Sequence, residues 1–274
     1  MRFLVHVHVF YTSFIEEVAR CVQNLQLVCG HKNISLWVTY TQDQDGVRER
    51  KCRIAFPHAT FLPLPNAGYD VGPFFEVLSR VQLDEYDIVV KLHTKRDSPP
   101  IWINFRNLEG PKWRNSLLSF CSTRRAVERM VEAFSYHPDI GLIAGRDVID
   151  IDGSAVNLNQ SRIKEALLRL GLKASAPMRV WGTMFAVRTS ILQKLDQHSI
   201  GDFLTVTDTN AHKDYGLANF YEELISVLTQ ASGYKISSAR MPLCVEQLCY
   251  NMIRPVYGFL RLLIRMARWI VRLF

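Results

Sequence analysis

The sequence predicts an α/β protein with an open, mostly parallel sheet flanked by helices. Short apolar, β-branched runs alternate with helix-spaced segments along the chain. The 274 residues are 48% hydrophobic and 22% charged, a globular balance able to bury a sizeable core. Gly (14) and Pro (11) are too few for a fibrous or low-complexity protein.

Phe3 to Phe10 reads as the first strand. Ser13 to Leu25 then places Phe14, Ile15, Val18, Cys21, Val22 and Leu25 at helical spacing, with Ser13 and Glu16 spaced as a capping box. Ile34 to Tyr40 is a second buried strand, so the first forty residues form a βαβ unit and imply parallel pairing. Gly72 to Arg80 opens a helix with Pro73 in its first turn. Tyr86 to Leu92 is a strand, Ser116 to Phe134 is largely helical, and Ile140 to Ala144 and Trp181 to Val187 are short strands. Asn219 to Gln230 is a helix whose Phe220, Leu224, Val227 and Leu228 would pack on the sheet. The alternation is Rossmann-like. Ligands of such sheets sit beyond the carboxyl ends of the strands, here His8–Tyr11, Thr39–Asp45, His93–Asp97 and Gly145–Asp152.

Six cysteines are scattered without zinc-ligand spacing, so reduced thiols are expected. The opening MRFLVHVHVF alternates as a strand and is not expected to be a signal peptide. No P-loop, G-x-S-x-G or H-E-x-x-H occurs.

The richest constellation runs from Asn66 to Asp97. Asn66, Gly68 and Asp70 form a polar turn before a helix N-terminus, where backbone N–H groups can meet an anion or ribose hydroxyls; the same residues could simply cap the helix. His93, Thr94, Lys95 and Arg96 follow directly on a buried strand. An imidazole, a hydroxyl and two cations there suit a diphosphate better than a divalent metal, which wants carboxylates. A solvated loop after an edge strand is the alternative. His6 and His8 share one sheet face, and His8 with Tyr11 could line a pocket. Asp150-x-Asp152 is a weak candidate metal pair, because Asp152-Gly153 is also a common turn. A divalent cation is left open and no other cofactor is implied. Asp214 and Glu222 are candidate general bases, with a helix cap and a surface acid as the alternatives.

The net charge is +7, but the last 24 residues hold five arginines and no acid, leaving +2 for residues 1–250. A domain so nearly balanced carries no nucleic-acid footprint. In residues 251–274, Arg254, Arg261, Arg265, Arg268 and Arg272 fall within an arc of about 60° on a helical projection. Phe259, Leu262, Leu263, Met266 and Ile270 lie opposite, with Trp269 near the border. Spanning a bilayer would bury three arginines at about 2.5–3.5 kcal/mol each, whereas lying in the interface sets them against anionic lipid. The expected organisation is therefore a domain over residues 1–250 and a basic amphipathic membrane-surface helix over residues 251–274. A helix packed on its own domain or on a partner is the alternative.

Asn66, Gly68, Asp70, Pro73 and Phe74, followed by Lys91, His93, Thr94 and Lys95, are similar to the N-x-G-x-D-x-x-P-F and K-x-H-T-K elements of the rhamnan synthesis F family of bacterial polysaccharide glycosyltransferases. His6 to Tyr11, Trp113-Arg114, Ile140 to Ile143, Gly182-x-Met184-Phe185-x-x-Arg188 and Asp214…Glu222 extend the resemblance, in order, over residues 3 to about 230. Tyr69 stands where the pattern has Arg, Asn219 where it often has His, and Glu223 where Arg often follows the Glu.

The resemblance implies a GT-A-like nucleotide-sugar fold. It also implies transfer of a sugar, with dTDP-rhamnose the favoured donor, to a polyprenyl-linked glycan at the inner face of the plasma membrane. The strand ending at His93 would take the place where D-x-D is usual. Together with the residues, this gives donor contacts from His8, Tyr11, Asn66, Gly68, Asp70, His93, Thr94 and Arg96. Catalysis would come from Lys95 with Asp214 or Glu222, and membrane contact from Arg261, Arg265, Arg268, Trp269 and Arg272. The rival expectation is a non-catalytic nucleotide-sugar or glycan binding module that recruits assembly enzymes.

Overall fold

The computed structural model describes residues 1–97, 99–103, 106–150, 160–173, 178–195 and 217–239. The first 239 residues form one compact unit. Its strands are β1 (Phe3–Val9), β2 (Ile34–Thr41), β3 (Thr60–Leu64), β4 (Ile88–His93), β5 (Ile101–Ile103), β6 (Arg106–Leu108), β7 (Ile140–Ala144), β8 (Ile149–Asp150), β9 (Arg179–Val180), β10 (Phe185–Arg188) and β11 (Lys235–Ser238). Its helices are α1 (Ile15–Cys29), α2 (Val47–Ala55), α3 (Val71–Leu78), α4 (Gly110–Leu118), α5 (Arg124–Tyr136), α6 (Gln160–Arg169), α7 (Thr189–Leu192) and α8 (Leu217–Ala231).

Seven strands make one sheet in the order β11-β7-β10-β4-β1-β2-β3; β5–β6 and β8–β9 are separate two-stranded ribbons. Every neighbour in the main sheet is parallel except β10, which runs against both β4 and β7. The expected architecture is the one found. From β1 to β3 the chain steps one way across the sheet; β4 then starts on the other side of β1, so strand order reverses between β1 and β4. That switch opens a crevice at the strands' carboxyl ends.

The strands form here because they are rich in apolar, β-branched residues, and β1, β4 and β7 are buried throughout. Register puts His6 beside Lys91 and His8 beside His93, so one face of the central strands carries four polar side chains. α3 lies on this face: the Phe74 ring stacks on His6 at 5.7 Å and meets Phe185 edge-on at 6.2 Å. α8 packs beside α3, with Tyr221 against Phe75 at 4.6 Å.

Two local expectations are corrected. The Ser13–Glu16 capping box does not form, because a 3-10 turn at Thr12–Phe14 precedes α1 and its N-cap is Phe14, without a side-chain bond. Trp181 to Met184 is a turn, and β10 starts only at Phe185. The largely helical stretch Ser116–Phe134 is divided between α4 and α5, and Thr123 caps the second by accepting from Ala126 N. β4 is a central strand and not the edge strand that the solvated-loop alternative invoked.

Candidate functional site

The site is the carboxyl end of β1 and β4, covered by the start of α3 and the turn before β10. His8 and His93 end their strands side by side. The next residue, Thr94, folds across to β1. Its N–H donates to the His8 carbonyl at 3.0 Å, and its Oγ1 accepts from the N–H groups of Phe10 (3.0 Å) and Tyr11 (2.9 Å). Thr94 is therefore buried as a link between the two strand ends.

Beneath it lies a buried ionic core. Lys91, only 1% exposed, donates from Nζ to the Asp70 carboxylate and to the Thr183 carbonyl at 3.1 Å, and its cation sits 5.6 Å from the centre of the Phe74 ring. The Thr183 hydroxyl donates to the same Asp70 oxygen, and His93 Nδ1 lies 3.4 Å from it. Asp70 is the N-cap residue of α3 but makes no side-chain cap, so the helix-cap alternative is replaced by this buried cluster. Burial alone would raise the Asp70 carboxyl, but His93, Lys91 and Lys95 outweigh it and hold it well below the ordinary carboxylate range. Burial lowers Lys91, against the pull of Asp70.

Among the described residues, the two non-glycine positions with left-handed backbone are Tyr69 (φ 54°) and Thr183 (φ 51°), and both converge on Asp70. Tyr69 is 53% exposed beside Gly68, whose φ is 68°. Such conformations cost on the order of 1–3 kcal/mol each and persist where the surroundings hold them. Asn66 is exposed on the same turn.

Burial favours the neutral form of His6, His8 and His93. Thr39 Oγ1 lies 2.8 Å from His6 Nε2 and 2.9 Å from His8 Nδ1, so one hydroxyl serves both rings. Burial takes His8 down to about 4 and pushes His6 and His93 well below their ordinary value. Neither ring nitrogen of His93, which is 2% exposed, has a hydrogen-bond partner among the described residues.

At the rim, Lys95 is half-buried and Arg96 exposed. Lys95 acts electrostatically on Asp70, His93 and Glu222, yet has no hydrogen bond or ion pair among the described residues. With Asp70 and Lys91 cancelling, Lys95 and Arg96 supply positive charge at the rim. Glu222, on α8, reaches the same place: its Oε1 accepts from Gly182 N at 2.7 Å. Gly182 must be glycine, since its φ is 82° and a Cβ would lie 2.3 Å from Leu117. Burial first, then the Asp70 charge, raises the Glu222 carboxyl. A carboxyl raised in this way, in the field of the Lys95 ammonium, is suited to taking up a proton.

The structure thus brings together His8, Tyr11, Asp70, His93, Thr94, Lys95 and Glu222. Asp150 is buried in β8 opposite Arg179. No group of three or more His, Cys, Asp or Glu able to hold a metal occurs among the described residues. Asp214, Asp152 and Arg261, Arg265, Arg268, Trp269 and Arg272 lie outside the described residues. Among them, no helix is long and apolar enough to cross a membrane. Sequence reasoning assigned no role to Lys91, Thr39 or Thr183. The signal for Lys91 was present: a lysine two residues before His93 in a buried strand must share its face.

Uncharacterized protein WxcX of Xanthomonas campestris pv. campestris (strain B100) is 26% identical over 188 residues, covering 66% of this chain and 25% of that protein. The chain thus spans about a quarter of the length of the curated relatives it matches. Among solved structures, glucosyl-3-phosphoglycerate synthase of Mycobacterium tuberculosis is 15% identical, with 86% of this chain and 69% of that one covered at a TM-score of 0.37. A putative nucleotide-diphospho-sugar transferase from Desulfovibrio desulfuricans G20 is 10% identical, with coverage of 87% and 80% and a TM-score of 0.37. The mannosyltransferase Ktr4p of S. cerevisiae is 10% identical, with coverage of 85% and 68% and again a TM-score of 0.37. The fold rests on the sheet order described above and not on these likenesses. The family described as rhamnan synthesis protein F matches residues 1–234, and the chain belongs to that family.

Proposed function

We propose that this protein is a GT-A-like glycosyltransferase that moves a sugar from a nucleoside-diphosphate donor to a glycan acceptor. The observation that carries the proposal is Lys95. It is a half-buried cation without a partner among the described residues, at the strand switch and beside a neutralised Asp70–Lys91 pair. In this reading Lys95 and Arg96 stabilise charge gathering on the departing diphosphate. Asp70 is engaged by Lys91 and Thr183 and is a poor ligand for a divalent cation, so the lysine takes that part. Glu222 takes the proton from the acceptor hydroxyl through its second carboxylate oxygen, the first being held by Gly182. Asp214 remains the other candidate base. His8, Tyr11 and the Asn66–Gly68 turn flank the donor.

Membership in the rhamnan synthesis family favours dTDP-rhamnose as donor and a polyprenyl-linked acceptor in bacterial polysaccharide synthesis. The arginine pattern of residues 251–274 supports a peripheral site at the inner membrane face. Equal sedimentation with anionic vesicles of the chain with and without those residues would remove the tether.

The test is thermal shift with dTDP, UDP and GDP, with and without Mg²⁺ or Mn²⁺. A ligand at a hundred times its Kd stabilises by about 2.7 kcal/mol. A metal-independent shift is expected, and Lys95→Ala should cut transfer by about 10²–10³ with melting unchanged. Nucleotide binding without turnover would make the chain a binding module. No shift with any nucleotide would overturn the proposal.

A further inference from the structure

The loop carrying Lys95 and Arg96 is fastened on both sides. On one side is Thr94, tied to the backbone of Phe10 and Tyr11. On the other is Asp97, whose carboxylate pairs with Arg114 Nη1. Arg114 is 7% exposed and serves two acids at once: Nε and Nη2 donate to the two oxygens of Glu17 at 3.0 and 3.1 Å. Its guanidinium also lies over the Phe14 ring, 4.2 Å from the centroid. Glu17 and Phe14 stand at the start of α1, just after β1. Asp97 also abuts the first residue of α4, as a Cβ on Gly110 would lie 3.8 Å from its Cγ. The carboxylate therefore faces a helix N-terminus, where negative charge is favoured.

We propose that Arg114 is a positioning residue which, through Asp97, fixes Lys95 and Arg96 for binding a diphosphate. Two cations brought together repel each other, and an unfastened loop would let them separate into water. The Thr94 bonds and the Arg114–Asp97 pair leave only those two residues between fastened ends. A planar guanidinium is required, because it alone offers five donors in a fixed fork able to meet two carboxylates and an aromatic face together. The inference rests on the reading of Lys95 and Arg96 as the diphosphate cradle.

The test is titration calorimetry of the full chain with dTDP and UDP, on wild type, Asp97→Asn and Arg114→Lys, with melting curves alongside. Asp97 is exposed enough that its amide should fold normally. Asp97→Asn is expected to weaken nucleotide binding about three- to five-fold, the range of a part-exposed ion pair, with melting within about 1 °C. Arg114→Lys should weaken it at least as much. In a Lys95→Ala background the Asp97→Asn effect should shrink, because the pair acts through that lysine. Wild-type affinity in Asp97→Asn, or an undiminished effect in the Lys95→Ala background, would overturn the positioning role. Failure of the wild type itself to bind either nucleotide would instead sink the diphosphate cradle.

Discussion

Replacing Lys91 with Met removes the cation and keeps most of the volume of a side chain that is 1% exposed. Asp70 is then left with the Thr183 hydroxyl as its one remaining donor from this cluster, its carboxylate still covered by α3 and the sheet. Breaking a buried pair from one side costs about 3–5 kcal/mol. For a domain of this size, 1 kcal/mol moves Tm by roughly 2–4 °C, so the variant should melt about 6–20 °C lower. The sign of the pH dependence is fixed too. In wild type, Asp70 titrates below its unfolded value, so its stabilisation is present above pH of about 4 and lost as pH falls further. Without Lys91, burial draws that carboxyl upward, and protonating it relieves the variant. The gap between the two proteins should therefore narrow on acidification. Asp70→Asn combined with Lys91→Met should recover most of the loss, since two neutral groups replace a broken pair. Denaturant unfolding of the three proteins at pH 7 and 5 measures all of this. A Lys91→Met variant within about 1 kcal/mol of wild type, or a double variant no better than the single, would refute the ionic-core argument.

Glu222→Gln should fold as wild type, because the amide oxygen still accepts from Gly182 N, while transfer falls by about 10²–10⁴. In wild type the rate should rise with pH through the raised Glu222 value, and a pH–rate profile of sugar transfer with unchanged turnover in the variant would return the base role to Asp214. Acid should also destabilise the fold through its histidines. His8 titrates at about 4 in the folded chain against about 6.5 unfolded, so its contribution is full above pH 6.5 and is lost between there and 4. That interval is worth about 3 kcal/mol at roughly 1.4 kcal/mol per pH unit, with His6 and His93 adding in the same direction. Stability that stays flat between pH 7 and 5 in denaturant titrations would contradict it.

The central strands could be read from sequence because their composition states their environment. Phe3 to Val9 and Ile88 to His93 are apolar but for His6, His8, Lys91 and His93, and runs so rich in β-branched residues mark strands buried from both sides. Elements outside this core escaped. α2 carries the charged run VRERKCRIA with one buried residue, Cys52, so no apolar stripe announces it. β3 contains Pro63, which a sheet tolerates only at an edge, and β3 is the edge strand. β11 is four residues long and gains its place by pairing with β7. The break between α4 and α5 lies where Thr123 supplies a cap inside an otherwise continuous pattern. For the site, residues adjacent in sequence could be grouped, as His93 to Arg96 were. Thr183 and Arg114 could not, because they meet Asp70 and Asp97 only once β10 lies beside β4 and α4 packs on α1.

The segment K-L-H-T-K holds two lysines four residues apart whose roles diverge for a geometric reason. Strand pleat sets Lys91 and His93 on one face, beneath α3, where Lys91 must find a counter-charge and Asp70 supplies it. Were the strand to continue, Lys95 would join them and compete for the same carboxylate. Thr94 prevents this by bonding across to Phe10 and Tyr11, which ends β4 and carries Lys95 out to the rim. One lysine thereby neutralises the buried acid, and the other stands at the rim. A threonine that appears in sequence as one more polar residue of a basic loop is the residue that separates the two. In the proposed transferase that separation matters: with Asp70 already engaged below, Lys95 would meet a diphosphate entering at the strand switch.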